Sequence, residues 1–343
     1  MPRLAALPLV ALTMFQAQAL AAEPGDFTRL AAQISPDHLM QTVQDLVRFE
    51  GRQSGTPSGD AAAAYIKSRL SGARLQSFPV RTAQIDTPAS AEIQLAERSL
   101  PLHLGRDFLP IVSAAPAERI SAPVIFVGYG ISAPNQGLDE YAGLSVSGKV
   151  VLFLRGQPKG FPGRLTHGEK VTTARARGAV AYLTVTGPLL SPYEQRRGMS
   201  TKPVLLYEGL RAEALPGLWL DPSAAEDILK PAGLSLRAFQ EAMDQALAAR
   251  SAETGTRITI ELRPRLHDAT ASNVLAWWPG SDPELSKETI VLGAHHDHFG
   301  MQGGLVFPGA DDNASGTAVL LEIARALATT GIRPKRSLLF LSF

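Results

Sequence analysis

Apolar residues recur at helical spacing across residues 35–71: Leu39, Val43, Leu46 and Val47 come first, then a run over 62–70 that includes Tyr65 and Ile66. That spacing predicts two amphipathic helices. The intervening GRQSGTPSGD, rich in Gly, Ser and Pro, predicts a loop. Residues 75–104 alternate weakly and predict strands, while PVIFVGY at 123–129 and KVVLFL at 149–154 are short β-rich runs flanked by Gly and Pro. EKVTTARARGA predicts a helix leading into a strand at VAYLTVTG, and the long stretch DPSAAEDILKPAGLSLRAFQEAMDQALAARSA reads as helical. After residue 258 the pattern changes. ITIEL, SNVLAWWPG and TIVLGAHHDH are strand-like, a helix is predicted over 316–328, and SLLFLSF forms a last strand. Strands alternating with helices argue an α/β fold with a partly parallel sheet covered by helices.

Composition narrows the function classes. The 343 residues suit two domains, and 45% apolar with 19% charged content describes a soluble globular protein. A net charge of +1, with no basic run, argues against nucleic acid as a partner. The opening MPRLAALPLVALTMFQAQALAAEPG has a positive start at Arg3, an apolar stretch broken at Pro8, and small residues at Ala19, Ala21 and Ala22. Residues 1–22 therefore predict a cleaved signal peptide and a secreted or periplasmic protein. Gln16 and Gln18 interrupt the run too early for a stable membrane insertion. With no cysteine in the chain, disulfides and thiolate zinc sites are excluded, so any metal must be held by His and carboxylates.

One span concentrates such residues. LGAHHDHFGMQGGLVFPGADDNASG, residues 292–316, carries three histidines and three aspartates among glycines and apolar residues. The histidines sit where a buried strand ends, and ligands in open α/β sheets gather at the carboxyl edge. Residues two apart on a strand share a face, so His295 and Asp297 are expected to point together, and His296 and His298 the other way in structural roles. Asp297 can then orient the His295 ring. Asp311 and Asp312 precede a helix, where an Asp often serves as a cap. Asn313 and Ser315 could fill that role, which leaves two adjacent carboxylates for a cation, and imidazole with carboxylate is a zinc-type set. His38, His103, His167 and His267 have no evident carboxylate partner and receive no role.

The order GAHHDH, PGADDNASG, a helix, then PKRSLLFLSF resembles the co-catalytic zinc aminopeptidases of metallopeptidase family twenty-eight, in their bacterial secreted form. GRQSGTPSGDAAAAYI is similar to that family's opening helix pair. PVIFVGYGISAP, GKVVLFLRG and ARARGAVAYL resemble the protease-associated domain often inserted in such enzymes. The resemblance implies a zinc-exopeptidase-like mixed sheet flanked by helices, divided into 23–105, a β-rich inserted domain at 106–258, and a metal-bearing part at 259–343. It implies two zinc ions, with His295 a ligand of one, Asp312 bridging both and Asp297 supporting His295; Asp311 and Asn313 only flank the bridge. The implied reaction is hydrolysis of N-terminal residues from peptides by a metal-activated water. Members of the family carry a Glu-Glu pair just after the strand matching SLLFLSF, and a later Asp and His. These residues are not in the sequence, so the expectation is a fragment that is inactive alone. A glutaminyl cyclase-like acyltransferase and a non-catalytic binding protein are the alternatives.

Overall fold

The computed structural model describes residues 24–113, 115, 117–196, 198–209 and 214–343. The expected signal peptide at 1–22 lies outside the described residues. Three helices open the fold, α1 (Pro24–Ala31), α2 (Pro36–Val47) and α3 (Pro57–Arg69). The boundaries of α2 and α3 are chemical. Ser35 and Thr56 accept the N–H groups of His38 and Gly59, and Pro36 and Pro57 stand where a helix needs no donor.

Strands β1 (Arg74–Gln94), β2 (Ser99–Leu102), β3 (Phe108–Ser113) and β4 (Ala117–Phe126) follow, then the small pair β5 (Ser132–Ala133) and β6 (Leu138–Asp139). Next come β7 (Val150–Leu154), α4 (His167–Ala176), β8 (Ala181–Val185), α5 (Pro192–Arg196), β9 (Leu206–Gly209) and β10 (Gly217–Leu220). The stretch expected to be one long helix is two, α6 (Pro222–Leu229) and α7 (Leu236–Gln245). Pro231 lacks the donor a continuous helix needs, and Gly233 takes φ +69, so the chain turns between them. The last part holds β11 (Ala252–Trp278), β12 (Thr289–Ala294), β13 (Gly300–Gln302), β14 (Leu305–Phe307), α8 (Gly316–Thr330) and β15 (Ser337–Ser342).

One mixed sheet runs β12-β15-β11-β4-β7-β8-β10-β3-β9, with β1 and β2 branching from β11. β12 and β15 are parallel through α8, and β4, β7, β8 and β10 form a second parallel run. β11 is the seam. Its end pairs antiparallel with β15 at Val274–Trp278, its start pairs with β4, and β1 runs antiparallel along most of its length. ITIEL and SNVLAWWPG are thus parts of one strand, and residue 258, the expected end of the inserted unit, lies inside that strand.

Among the described residues two cores flank the seam. One gathers Phe108, Phe126, Val150, Leu183, Leu218 and Ile258 against α6 and α7. The other packs Leu46, Ile66, Val274, Leu321 and Phe340 beneath α2, α3 and α8. A third sets Ile125, Val151, Phe153 and Tyr182 against Val171 and Ala174 of α4. The weak alternation over 75–104 reflects a β1 whose first six residues are exposed on both faces, so no apolar face marked it.

Candidate metal centre

β12 and β15 run in register from Thr289 opposite Ser337 to Ala294 opposite Ser342. The chain then leaves the strand. His296 N–H donates to the Phe343 carbonyl at 2.7 Å, and the next residues turn into the β13–β14 hairpin. His295 is placed just past the carboxyl end of β12, which is an edge strand and largely exposed rather than the buried strand expected, because only β15 pairs with it.

His295 stands between two carboxylates. Its Nδ1 is 3.3 Å from Asp297 Oδ1, and its Nε2 is 3.1 Å from Asp312 Oδ1. The pairing of His295 with Asp297 agrees with the sequence. A carboxylate at Nδ1 favours the proton there and leaves the Nε2 lone pair toward Asp312. Both carboxylates and the imidazole are open to solvent, Asp312 most of all.

The other two histidines differ from each other. His296 is buried, with Nδ1 3.0 Å from Ser342 Oγ, and burial pushes its imidazole down to about 4. It is a neutral structural residue. His298 was expected to face away with it, but its Nδ1 lies 4.0 Å from Asp312 Oδ2, at the edge of the cluster. Strand alternation fails here because residues 295–299 no longer form a strand.

Asp312 is delivered by a tight turn, Ala310–Ser315, entered through Gly309 at φ +56. A Cβ on Gly309 would collide with the Asp312 carbonyl and the His298 ring, so only glycine fits this entry. Asn313 Oδ1 accepts the Gly316 N–H at 3.1 Å and caps α8, while Ser315 donates instead to the Asp311 carbonyl at 2.7 Å. With the cap supplied by Asn313, Asp312 is left facing His295. Asp311 points to solvent.

The loop at GRQSGTPSGD, to which the sequence assigns no site residue, holds the site together. Arg52 is fully buried, and its guanidinium donates to the carbonyls of Leu46, His296, Pro308 and Gly309. Burial lowers its pKa, while the nearby Asp297 and Asp312 charges favour its cationic form. Ser54 Oγ donates to Asp297 Oδ2 at 2.7 Å. The one sequence signal was an arginine inside a glycine and serine loop. Histidines given no role also find carboxylates: His38 lies beside Glu322, His103 beside Asp107 and His167 beside Glu208.

The donor chemistry fits a zinc-type ion, since an imidazole nitrogen and a carboxylate oxygen face each other in an open position. The donor number does not complete a shell. Zinc sites use three or four protein groups, and among the described residues no group of three or more His, Asp or Glu is arranged to hold a metal.

Residues 273–343, which carry this cluster, match the model of Peptidase family M28. The chain is 36% identical over 72 residues to leupeptin-inactivating enzyme 1 of Streptomyces exfoliatus, and 48% identical over 52 residues to leucine aminopeptidase 1 of Emericella nidulans. Those stretches are 21% and 15% of this chain, and only 15% and 13% of the two relatives' own lengths. The fold is similar to that of the aminopeptidase from Aneurinibacillus sp. strain AM-1, with a TM-score of 0.58 at 19% identity, covering 92% of this chain and 64% of that one. The mixed sheet flanked by helices is therefore the architecture of a solved aminopeptidase.

Proposed function

We propose that the protein is a zinc-dependent aminopeptidase that hydrolyses N-terminal residues from peptides. The observation that carries this reading is His295 held between Asp297 and Asp312, on the residues that match the peptidase family. His295 and Asp312 would hold the metal, with Asp312 shared between two ions. Bound there, the metal would polarise a peptide carbonyl and lower the pKa of a water. Asp297 orients the His295 ring and does not touch the metal. The reading also requires at least one further metal donor, and among the described residues no group of three His, Asp or Glu is placed to supply it.

Three further points belong to the same proposal. Residues 1–22 direct export, so the protein works in the periplasm or outside the cell. Residues 106–258 form an inserted unit beside the peptidase part, a division supported by β4, β7, β8 and β10, which form a parallel run of their own within those bounds. Among the described residues no helix is long and apolar enough to cross a membrane.

The test is release of amino acids from aminoacyl anilides by the whole protein, before and after a chelator. We expect activity to vanish with the chelator and return with added zinc. Undiminished activity in excess chelator overturns the reading. Cyclisation of an N-terminal glutamine without peptide cleavage would replace it with acyl transfer.

A further inference from the structure

The loop between α2 and α3 makes bonds that its sequence does not announce. Glu50, Gly51 and Arg52 all take positive φ, at 44, 80 and 50 degrees. Two of these are not glycine, and such backbone persists only where surrounding contacts fix it. The contacts are specific. Gly51 and Arg52 carbonyls accept the N–H groups of Gly300 and His298, while Gln53 ties the loop to Thr82 and Ala83 of β1.

Arg52 then reaches both arms of the metal cluster from one planar group. Its Nε donates to the His296 carbonyl at 2.8 Å, next to His295. Its Nη1 and Nη2 donate to the Pro308 and Gly309 carbonyls at 2.6 and 2.8 Å, at the entry to the turn that carries Asp312. A rigid guanidinium sets the spacing of those two segments, as a flexible ammonium could not. Ser54, two residues on, holds the third member by donating to Asp297 Oδ2, which leaves Oδ1 for His295.

We propose that Arg52 and Ser54 are positioning residues that hold His295, Asp297 and Asp312 in their metal-binding arrangement before any ion arrives. The proposal rests on the zinc reading above. Neither residue touches the ion or the substrate: Arg52 acts through the backbone beside His295 and Asp312, and Ser54 through the Asp297 carboxylate. Preorganisation of this kind is needed more where the ligands are exposed and lie on turns than where they are buried in a strand.

Calorimetric titration of the metal-free whole protein with zinc tests this, together with the visible absorption of the cobalt(II) form as a report on ligand geometry. Arg52→Lys keeps the charge but loses the fork; it should bind zinc about tenfold more weakly and alter the cobalt spectrum, and Ser54→Ala should weaken zinc severalfold. Lys170→Met is the comparison, because Lys170, on α4, is another buried cation that donates to backbone carbonyls, those of Leu154 and Gly156 at the end of β7. It should change the melting temperature and leave zinc affinity and the cobalt spectrum unaltered. Arg52→Lys and Ser54→Ala binding zinc within twofold of the parent, with an unchanged spectrum, overturns the proposal. If Arg52→Lys fails to fold, Ser54→Ala decides by the same criterion. His295→Ala separates the two levels: unchanged zinc binding in that variant sinks the metal reading itself, whereas its loss beside normal binding in the loop variants sinks only the positioning role.

Discussion

Glu140 offers the sharpest test of the electrostatics, because its carboxylate is fully buried in the core away from the metal cluster. It accepts the Tyr129 and Ile131 N–H groups at about 2.9 Å, yet burial outweighs these bonds and pushes its pKa up to about 7 from the usual 4.5. A carboxyl whose folded pKa is raised stabilises the fold below its unfolded pKa, and that contribution is lost as pH rises toward the folded value. The window is therefore pH 4.5 to 7. At about 1.4 kcal/mol per unit, a gap of roughly 2.5 units amounts to about 3 kcal/mol. Glu140→Gln removes the titration; its amide oxygen can take the Oε2 place that accepts both N–H groups, but its NH2 then replaces the Oε1 that also faces the Tyr129 N–H, a pH-independent cost of about 1–3 kcal/mol. Urea unfolding of both proteins at pH 4.5, 6 and 7.5 isolates the effect, since titrating groups not coupled to Glu140 cancel in the difference and the change read is that of Glu140 together with Lys170, the buried cation coupled to it. The parent should be the more stable at pH 4.5, and its advantage should shrink by about 3 kcal/mol, to nothing or below, at pH 7.5. A difference that stays constant across the three pH values refutes the argument.

Three other outcomes follow from the site and its support. Asp297→Asn should weaken zinc binding by roughly 10- to 100-fold, read by the same calorimetric titration, because the amide no longer fixes the His295 ring as a carboxylate does. Gly309→Ala places a Cβ against the Asp312 carbonyl and the His298 ring at φ +56, so thermal unfolding should show a loss of about 1–3 kcal/mol. Phe340→Ala empties a fully buried position under α8 and should cost about 3–5 kcal/mol in urea unfolding.

The parts of the site legible in the sequence were those whose chemistry is local. His295, Asp297 and Asp312 stood out because charged residues clustered at a strand end and a helix start, and the structure brings Asp297 and Asp312 each within 3.3 Å of His295. His298 was misplaced because alternation was carried one turn too far, past Ala294 where the ladder stops. Arg52 and Ser54 were not legible for a different reason. Their partners at the cluster lie more than 240 positions away, and a loop arginine looks the same in sequence whether solvated or buried. The fold shows the same division. The helices α2, α3 and α8 and the buried strands β7 and β8 follow their periodicity, whereas the length of β1 and β11 does not, because each strand's partner rather than its own pattern sustains it.

The β1–β11 ribbon also bears on the order of events during synthesis. It pairs Arg74 with Leu275 and Gln94 with Arg257, partners about 160 to 200 positions apart, so an unstructured chain would have to close a very long loop to form it. Everything from β3 to β10 emerges before the second strand exists, and that stretch contains most of one core. If it folds as it leaves the ribosome, its two ends are already brought near each other and the closure becomes short. Residues 289–343, which carry His295 and Asp312 and emerge after β11, would then be added to a scaffold already assembled.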